Sequence, residues 1–168
     1  MRSITRAALI GAATLPLAMA APALASASTA ADVSFAYTAS GSTVTNTITN
    51  NSGGPLHCGT LLGNAPGGVL PPVEDTLRAG QTIGTTGEIP VGTSAQVVTD
   101  IPDGSYVVLA TCTSSGEATS MWISDYPGIE PYLTVFPYTV YTVQQASWVV
   151  AIPSTDASIP DTGLNFGS

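Results

Sequence analysis

From Val33 onward the side chains alternate with a period of two, and no other feature constrains the fold as strongly. Val33, Phe35 and Tyr37 interleave with Ser34, Ala36 and Thr38, and Val44, Asn46 and Ile48 interleave with Thr43, Thr45, Thr47 and Thr49. Neighbouring side chains of a strand point to opposite faces, so each stretch offers one face to a core and one to solvent. The β-branched threonines and valines are stiff at χ1 and favour strand over helix. Further strands are predicted over Leu56 to Leu62, Ser94 to Thr99, Ser105 to Thr113, Met121 to Ser124, Tyr132 to Val143 and Ser147 to Ile152. The last two are spaced to form a hairpin around Gln144-Gln145. Turn composition marks Ser40-Gly41, Asn50 to Pro55, Gly63 to Pro72 and Pro102-Asp103-Gly104. Glu74 to Ile89 is ambiguous, with room for two short strands around Gly80 and Gly84. No stretch combines helical periodicity with caps. Many short strands together with 17 Gly and 13 Pro point to a sandwich or barrel.

The chain opens with Arg2 and Arg6, an apolar run from Ala7 to Ala21, and small residues at Ala23-Leu24-Ala25 and Ala25-Ser26-Ala27. This is the order of a secretory signal peptide with an A-x-A cleavage site. Thr14, Pro16 and Pro22 interrupt the run, and no basic stop-transfer flank follows, which sets it apart from a spanning helix. The expected division is a signal peptide over 1–27, one β-sandwich domain over 32–152 and a flexible polar tail over 153–168. Cleavage after Ala25 or Ala27 leaves roughly 140 residues, the size of one domain. The expected location is extracellular, free or loosely held at the cell envelope, with no membrane insertion after cleavage.

Charge narrows the partners. The three basic residues are Arg2, Arg6 and Arg78, there is no lysine, and all eleven acidic residues lie at Asp32 or later. Once the leader is removed, one cation faces eleven acids, a side-chain charge of −10. Nucleic-acid binding needs clustered cations to displace counterions, and anionic lipid attracts only basic segments, so neither partner is expected. Cys58 and Cys112 form an even pair in an exported chain, which reads as a disulfide. Closing a loop of 54 residues stabilises by about 4 kcal/mol in the chain-entropy account. A reactive thiol or a metal site beside His57 is the competing reading. If Cys58 faces the core, however, His57 must face outward.

Two segments carry a resemblance: Thr43-Val-Thr-Asn-Thr-Ile-Thr-Asn-Asn51 and Ile101-Pro-Asp-Gly-Ser-Tyr-Val-Val108. With the strand spacing between them, Val33 to Cys112 resembles immunoglobulin-like sandwich modules of bacterial secreted and surface proteins. With its export signal, the whole chain looks like a small secreted actinobacterial protein. The resemblance implies an all-β, immunoglobulin-like antiparallel β-sandwich with one disulfide. The chain departs from immunoglobulin domains proper, because Trp122 and Trp148 both follow Cys112 and Tyr106 stands six residues before it.

The inventory for catalysis is thin. His57 is the sole histidine and no Gly-x-Ser-x-Gly elbow occurs. Glu74, Asp75, Glu88, Glu117, Asp125 and Glu130 offer carboxylates, but no spacing selects an acid/base pair. Asp100 and Asp103 offer oxygen ligands for calcium, although turn formation explains the same residues. No enzyme activity, cofactor or metal is expected. Ile159-Pro-Asp-Thr-Gly163 resembles a sortase signal, but neither an apolar span nor a basic tail follows it. The strongest functional hint is aromatic: seven of the eleven aromatic residues lie between 122 and 148. Trp122, Tyr126, Tyr132, Tyr138, Tyr141 and Trp148 are the candidate binding residues, for a protein or carbohydrate at the cell surface. The competing reading buries them on both faces of a sheet. A non-enzymatic binding module is therefore the first expectation, a structural or accessory envelope protein the second, and a carboxylate-dependent hydrolase the third.

Overall fold

The computed structural model describes residues 27–116 and 119–158. The signal-peptide reading up to Ser26, Glu117 and the sortase-like motif lie outside the described residues. In chain order the strands are β1 (Val33–Gly41), β2 (Thr43–Asn50), β3 (Leu56–Asn64), β4 (Ile83–Ile89), β5 (Gly92–Val98), β6 (Gly104–Ser114), β7 (Ser120–Asp125), β8 (Thr139–Ala146), β9 (Trp148–Ile152) and β10 (Ser154–Ser158). One sheet has the order β10-β1-β2-β5. The other has the order β4-β3-β6-β7-β8, with β9 paired to β6. The chain is therefore mostly β, as its alternation predicts.

The core-facing row of each sheet follows from the period of two. Val33, Phe35, Tyr37 and Ala39 of β1 and Val44 and Ile48 of β2 are buried, as are Leu56, Cys58 and Leu62 of β3 and Tyr106, Val108, Ala110 and Cys112 of β6. Together with Trp122, Val143, Val150 and Ile152 they form one cluster fed by both sheets. Burying each large side chain contributes roughly 1.5–3 kcal/mol. Cys58 and Cys112 are register partners on β3 and β6 and are joined by a disulfide with a Cα–Cα distance of 4.0 Å. The bridge lies within one sheet and faces the core, and His57 beside it is exposed on the other face.

A polar stripe crosses this core. Asn46 Nδ2 donates to Thr60 Oγ1 at 2.9 Å, Thr60 Oγ1 donates to Gln96 Oε1 at 2.8 Å, and Gln96 Nε2 donates to the Cys58 carbonyl at 2.9 Å. These bonds tie β2 and β5 of one sheet to β3 of the other. Asn50 holds the neighbouring corner, donating to the carbonyls of Gly54, Ile89 and Pro90 while its Oδ1 accepts from the Ser52 amide and hydroxyl.

The sheet containing β6, sheet two, is buried on both faces where β6 runs through it. Val107, Leu109 and Ile123 point away from the main core into a second cluster with Ala65, Val73, Tyr126 and Ile129. This explains the unbroken apolar run from Tyr106 to Ala110, since a strand covered on both faces loses its alternation. The cover comes from two helices, α1 (Val73–Ala79) and α2 (Glu130–Leu133). Both correct the all-strand expectation. Glu74 and Asp75 in the first turn of α1 and Arg78 in the last suit the helix dipole. Gly80, at φ 75°, ends the helix in a conformation that favours glycine.

Three further departures concern connections. Tyr132 to Val143 is not one strand, because Pro131 belongs to α2, turns and bends follow, and β8 starts only at Thr139. The hairpin around Gln144-Gln145 does not form: β8 pairs with β7 in parallel, and β9 pairs with β6. A parallel pair needs a crossover, and the segment bearing α2 provides it; the sheet is thus not wholly antiparallel. Lastly, Ser154–Ser158 of the expected tail form β10 against β1. Where β6 changes partner along one edge, from β9 to β7, the Ala110 amide donates to Ser124 Oγ at 3.1 Å and Ser147 Oγ lies 3.2 Å from Ser124 Oγ.

Candidate functional site

The aromatic stretch divides according to which layer each residue joins. Trp122 sits on β7 and is fully buried in the main core. It stacks on Tyr141 of β8 with ring centroids 5.7 Å apart and an interplanar angle of 29°. The Trp122 indole N–H donates to the Thr29 carbonyl at 2.8 Å, and the Tyr141 hydroxyl donates to the Ser28 carbonyl at 2.6 Å. This aromatic pair is thus occupied by the chain's own N-terminal segment. That segment is further braced by Asp32, whose carboxylate accepts from the Thr29 amide and hydroxyl. Trp148 is half-buried against the same core.

Tyr126 belongs to the second cluster and is almost fully buried. Its hydroxyl donates to the Pro71 carbonyl at 2.6 Å, which leaves Thr76 Oγ1, 3.0 Å away, to donate to it. Burial raises the Tyr126 pKa above the ordinary tyrosine value, the Thr76 hydrogen bond opposes this, and the negative charges of Asp75 and Glu74 add to the rise. Tyr126 therefore anchors α1 to the lead-in of α2. Trp122 and Tyr126 are core side chains, as the reading of two-sided burial expects.

What reaches solvent is the segment from α2 into β8. Tyr132 is 38% exposed and Val135 77%. Phe136 and Tyr138 are half-buried, with ring centroids 5.4 Å apart at an interplanar angle of 31°. Pro131 and Pro137 bracket the segment and fix φ at two positions, so little backbone freedom is lost when it meets a partner. Ile129 and Leu133 hold it to the second cluster from beneath. Of the six aromatic candidates, Tyr132 is exposed and Tyr138 is half-buried, its ring against Phe136. Val135 was missed from the sequence, because a single valine between aromatics carries no signal of exposure.

The remaining candidates are dispersed. His57 lies on the outer face of sheet two, in register with Glu88 on β4 and Thr113 on β6. Glu74 and Asp75 are exposed on α1, Asp125 ends β7 and Glu130 begins α2. Asp103 lines an open depression of about 300 Å³ with Asn64, Ser105 and Tyr106, which supplies one carboxylate only. Asp100 adopts φ 56° and accepts from the Thr99 hydroxyl at 3.0 Å, as a turn residue does. Among the described residues no three His, Cys, Asp or Glu side chains are grouped to hold a metal ion.

No protein-family model matches this chain, and neither the curated proteins nor the solved structures contain a match to it.

Proposed function

We propose that the protein is an exported, non-enzymatic binding module that engages a partner through the exposed segment from Pro131 to Tyr138. The observation that carries this reading is Val135, 77% exposed beside Tyr132 on a proline-bracketed segment anchored from below. An accessible apolar cluster on a rigid base is what a recognition surface needs. Export is supported by the leader-like first residues and by a disulfide, which persists in oxidising compartments. No helix among the described residues is long and apolar enough to cross a membrane.

The same proposal takes the two sheets as an immunoglobulin-like sandwich. Its support is topological: β1, β2 and β5 occupy the places of strands A, B and E, and β3 and β6 those of C and F. Tyr106, near the start of β6, donates its hydroxyl to the Pro102 carbonyl at 3.0 Å, in the manner of a tyrosine corner. The disulfide differs, since it joins neighbours within one sheet rather than bridging the two.

The test is binding of labelled protein to isolated cell envelope, wild type against Tyr132→Ser combined with Val135→Ser. Loss of binding at an unchanged melting temperature is the expected result. Equal binding by both proteins overturns the assignment of the surface. Intact mass from culture medium and from cells checks export, with a leaderless species two protons light expected in the medium. A structural envelope role is the second reading. It is favoured by the outer face of β1, β2 and β5, where Thr38, Thr45, Thr47, Thr49 and Thr93 present hydroxyls and no charged side chain intervenes.

A further inference from the structure

Exposed apolar side chains are not scattered evenly over this protein. Of the six large hydrophobic residues exposed among the described residues, Val69, Leu77, Tyr132 and Val135 lie on the layer that covers sheet two. The other two, Val91 and Val97, lie on β5 and the turn into it. The covering layer is one surface rather than two. Leu70 and Val73 on the α1 side and Ile129 and Leu133 on the α2 side pack into the same cluster, and a Cβ at Gly128 would stand 3.7 Å from Val73 Cγ1. Leu77, on the same helix as the buried Val73 and Thr76, is 42% exposed and belongs to neither core cluster.

The rim of this layer is charged, and mostly of one sign. Glu74, Asp75 and Glu130 are exposed around the apolar positions, with Arg78 as the only cation. Glu74 stands one turn from Leu77 on the same helix, close enough for a partner to touch both.

We infer that the α1–α2 layer is a docking surface for a cationic, apolar protein segment, one whose hydrophobic side chains are flanked by lysine or arginine. The inference rests on the binding-module reading and extends its surface from the Pro131–Tyr138 segment across to Val69 and Leu77. Charge selects this occupant over the others. A second copy brings acids against acids, in a chain without lysine and with a side-chain charge of −10 once the leader is gone. An anionic membrane repels the same rim. A neutral sugar could stack on Tyr132, but it would leave Val69, Leu77 and Val135 without a use and the acids unpaired.

The experiment uses the secreted protein and three short synthetic peptides of equal length: leucine with lysine, serine with lysine, and leucine with glutamate. Titration calorimetry gives affinity, and amide hydrogen exchange gives the footprint. The leucine–lysine peptide is expected to bind and to protect residues 69–79 and 129–138, and Leu77→Ser or Val135→Ser is expected to weaken it by about tenfold each. Equal affinity for the serine–lysine peptide reduces the surface to charge alone and overturns the inference. Equal affinity for the leucine–glutamate peptide overturns the charge argument, and protection elsewhere overturns the site. Concentration-dependent protection of the same residues without peptide assigns the surface to a second copy instead, and protection by phosphatidylcholine vesicles assigns it to lipid. If envelope binding depends on Tyr132 and Val135 but no leucine–lysine peptide binds, this inference fails while the binding-module reading stands.

Discussion

Tyr37 and Thr60 show how differently two buried hydroxyls act in one core. The Tyr37 hydroxyl is buried beside Ser124 and has no partner at hydrogen-bonding geometry. Burial drives its pKa well above the ordinary value near 10, with the nearby Ser124 side chain opposing. The folded protein therefore keeps this proton where the unfolded chain releases it, so the native state binds more protons above pH 10 and stability falls as pH rises. The expected loss from Tyr37 is about 1.4 kcal/mol per pH unit above that point, and none below it. Tyr37→Phe should remove this part of the alkaline slope and leave stability at pH 7 equal or higher, since no hydrogen bond is lost. Urea denaturation at pH 7 and pH 11 reads both. Thr60 is the opposite case, accepting from Asn46 and donating to Gln96. Thr60→Val strands both amides in the core and should cost roughly 2–5 kcal/mol, seen as a lower urea midpoint at an unchanged m-value.

Among the elements, those legible in the sequence are the ones built from local alternation. β1 and β2 fall where the period of two places them, although Asn46 and Asn50 share the buried row of β2 with Val44 and Ile48; β3 and β6 also fall where strands were expected, but β6 is buried on both faces. α1 was not legible because seven residues make only two turns, too few for a period to show. Its signals were the acids after Pro72, Arg78 near the end and Gly80 beyond. The aromatic stretch left two readings open for a related reason. Large side chains on both faces of a segment signal cover on both faces, but not which residues the cover leaves open. Trp122 finds its hydrogen-bond partner at Thr29, 93 residues away, which no local pattern encodes. The β3–β4 pair owes its closeness to Gly84, where a Cβ would lie 2.6 Å from the Thr60 carbonyl oxygen. Gly84→Ala should push β4 off the sheet edge at a cost of about 1–3 kcal/mol. Faster amide exchange over 83–89, with β6 still protected, is the expected signature.

At the scale of the whole molecule, one covalent bond spans the middle of the fold. Substituting Cys58 by alanine should remove about 4 kcal/mol, and adding reductant to the wild type should lower its melting temperature comparably. An unchanged melting temperature under oxidising conditions would refute the role given to the bridge. The same bond has a consequence for proteolysis. Among the described residues trypsin has a single basic residue to recognise, Arg78, exposed on α1 and followed by Ala79. That residue lies inside the loop closed by Cys58 and Cys112. A nick there severs the backbone without separating the pieces, because one carries each cysteine and β3 remains paired to β6. A nicked sample should therefore run as one species on a non-reducing gel and as two after reduction. The protein is in this respect a two-chain molecule awaiting one cut.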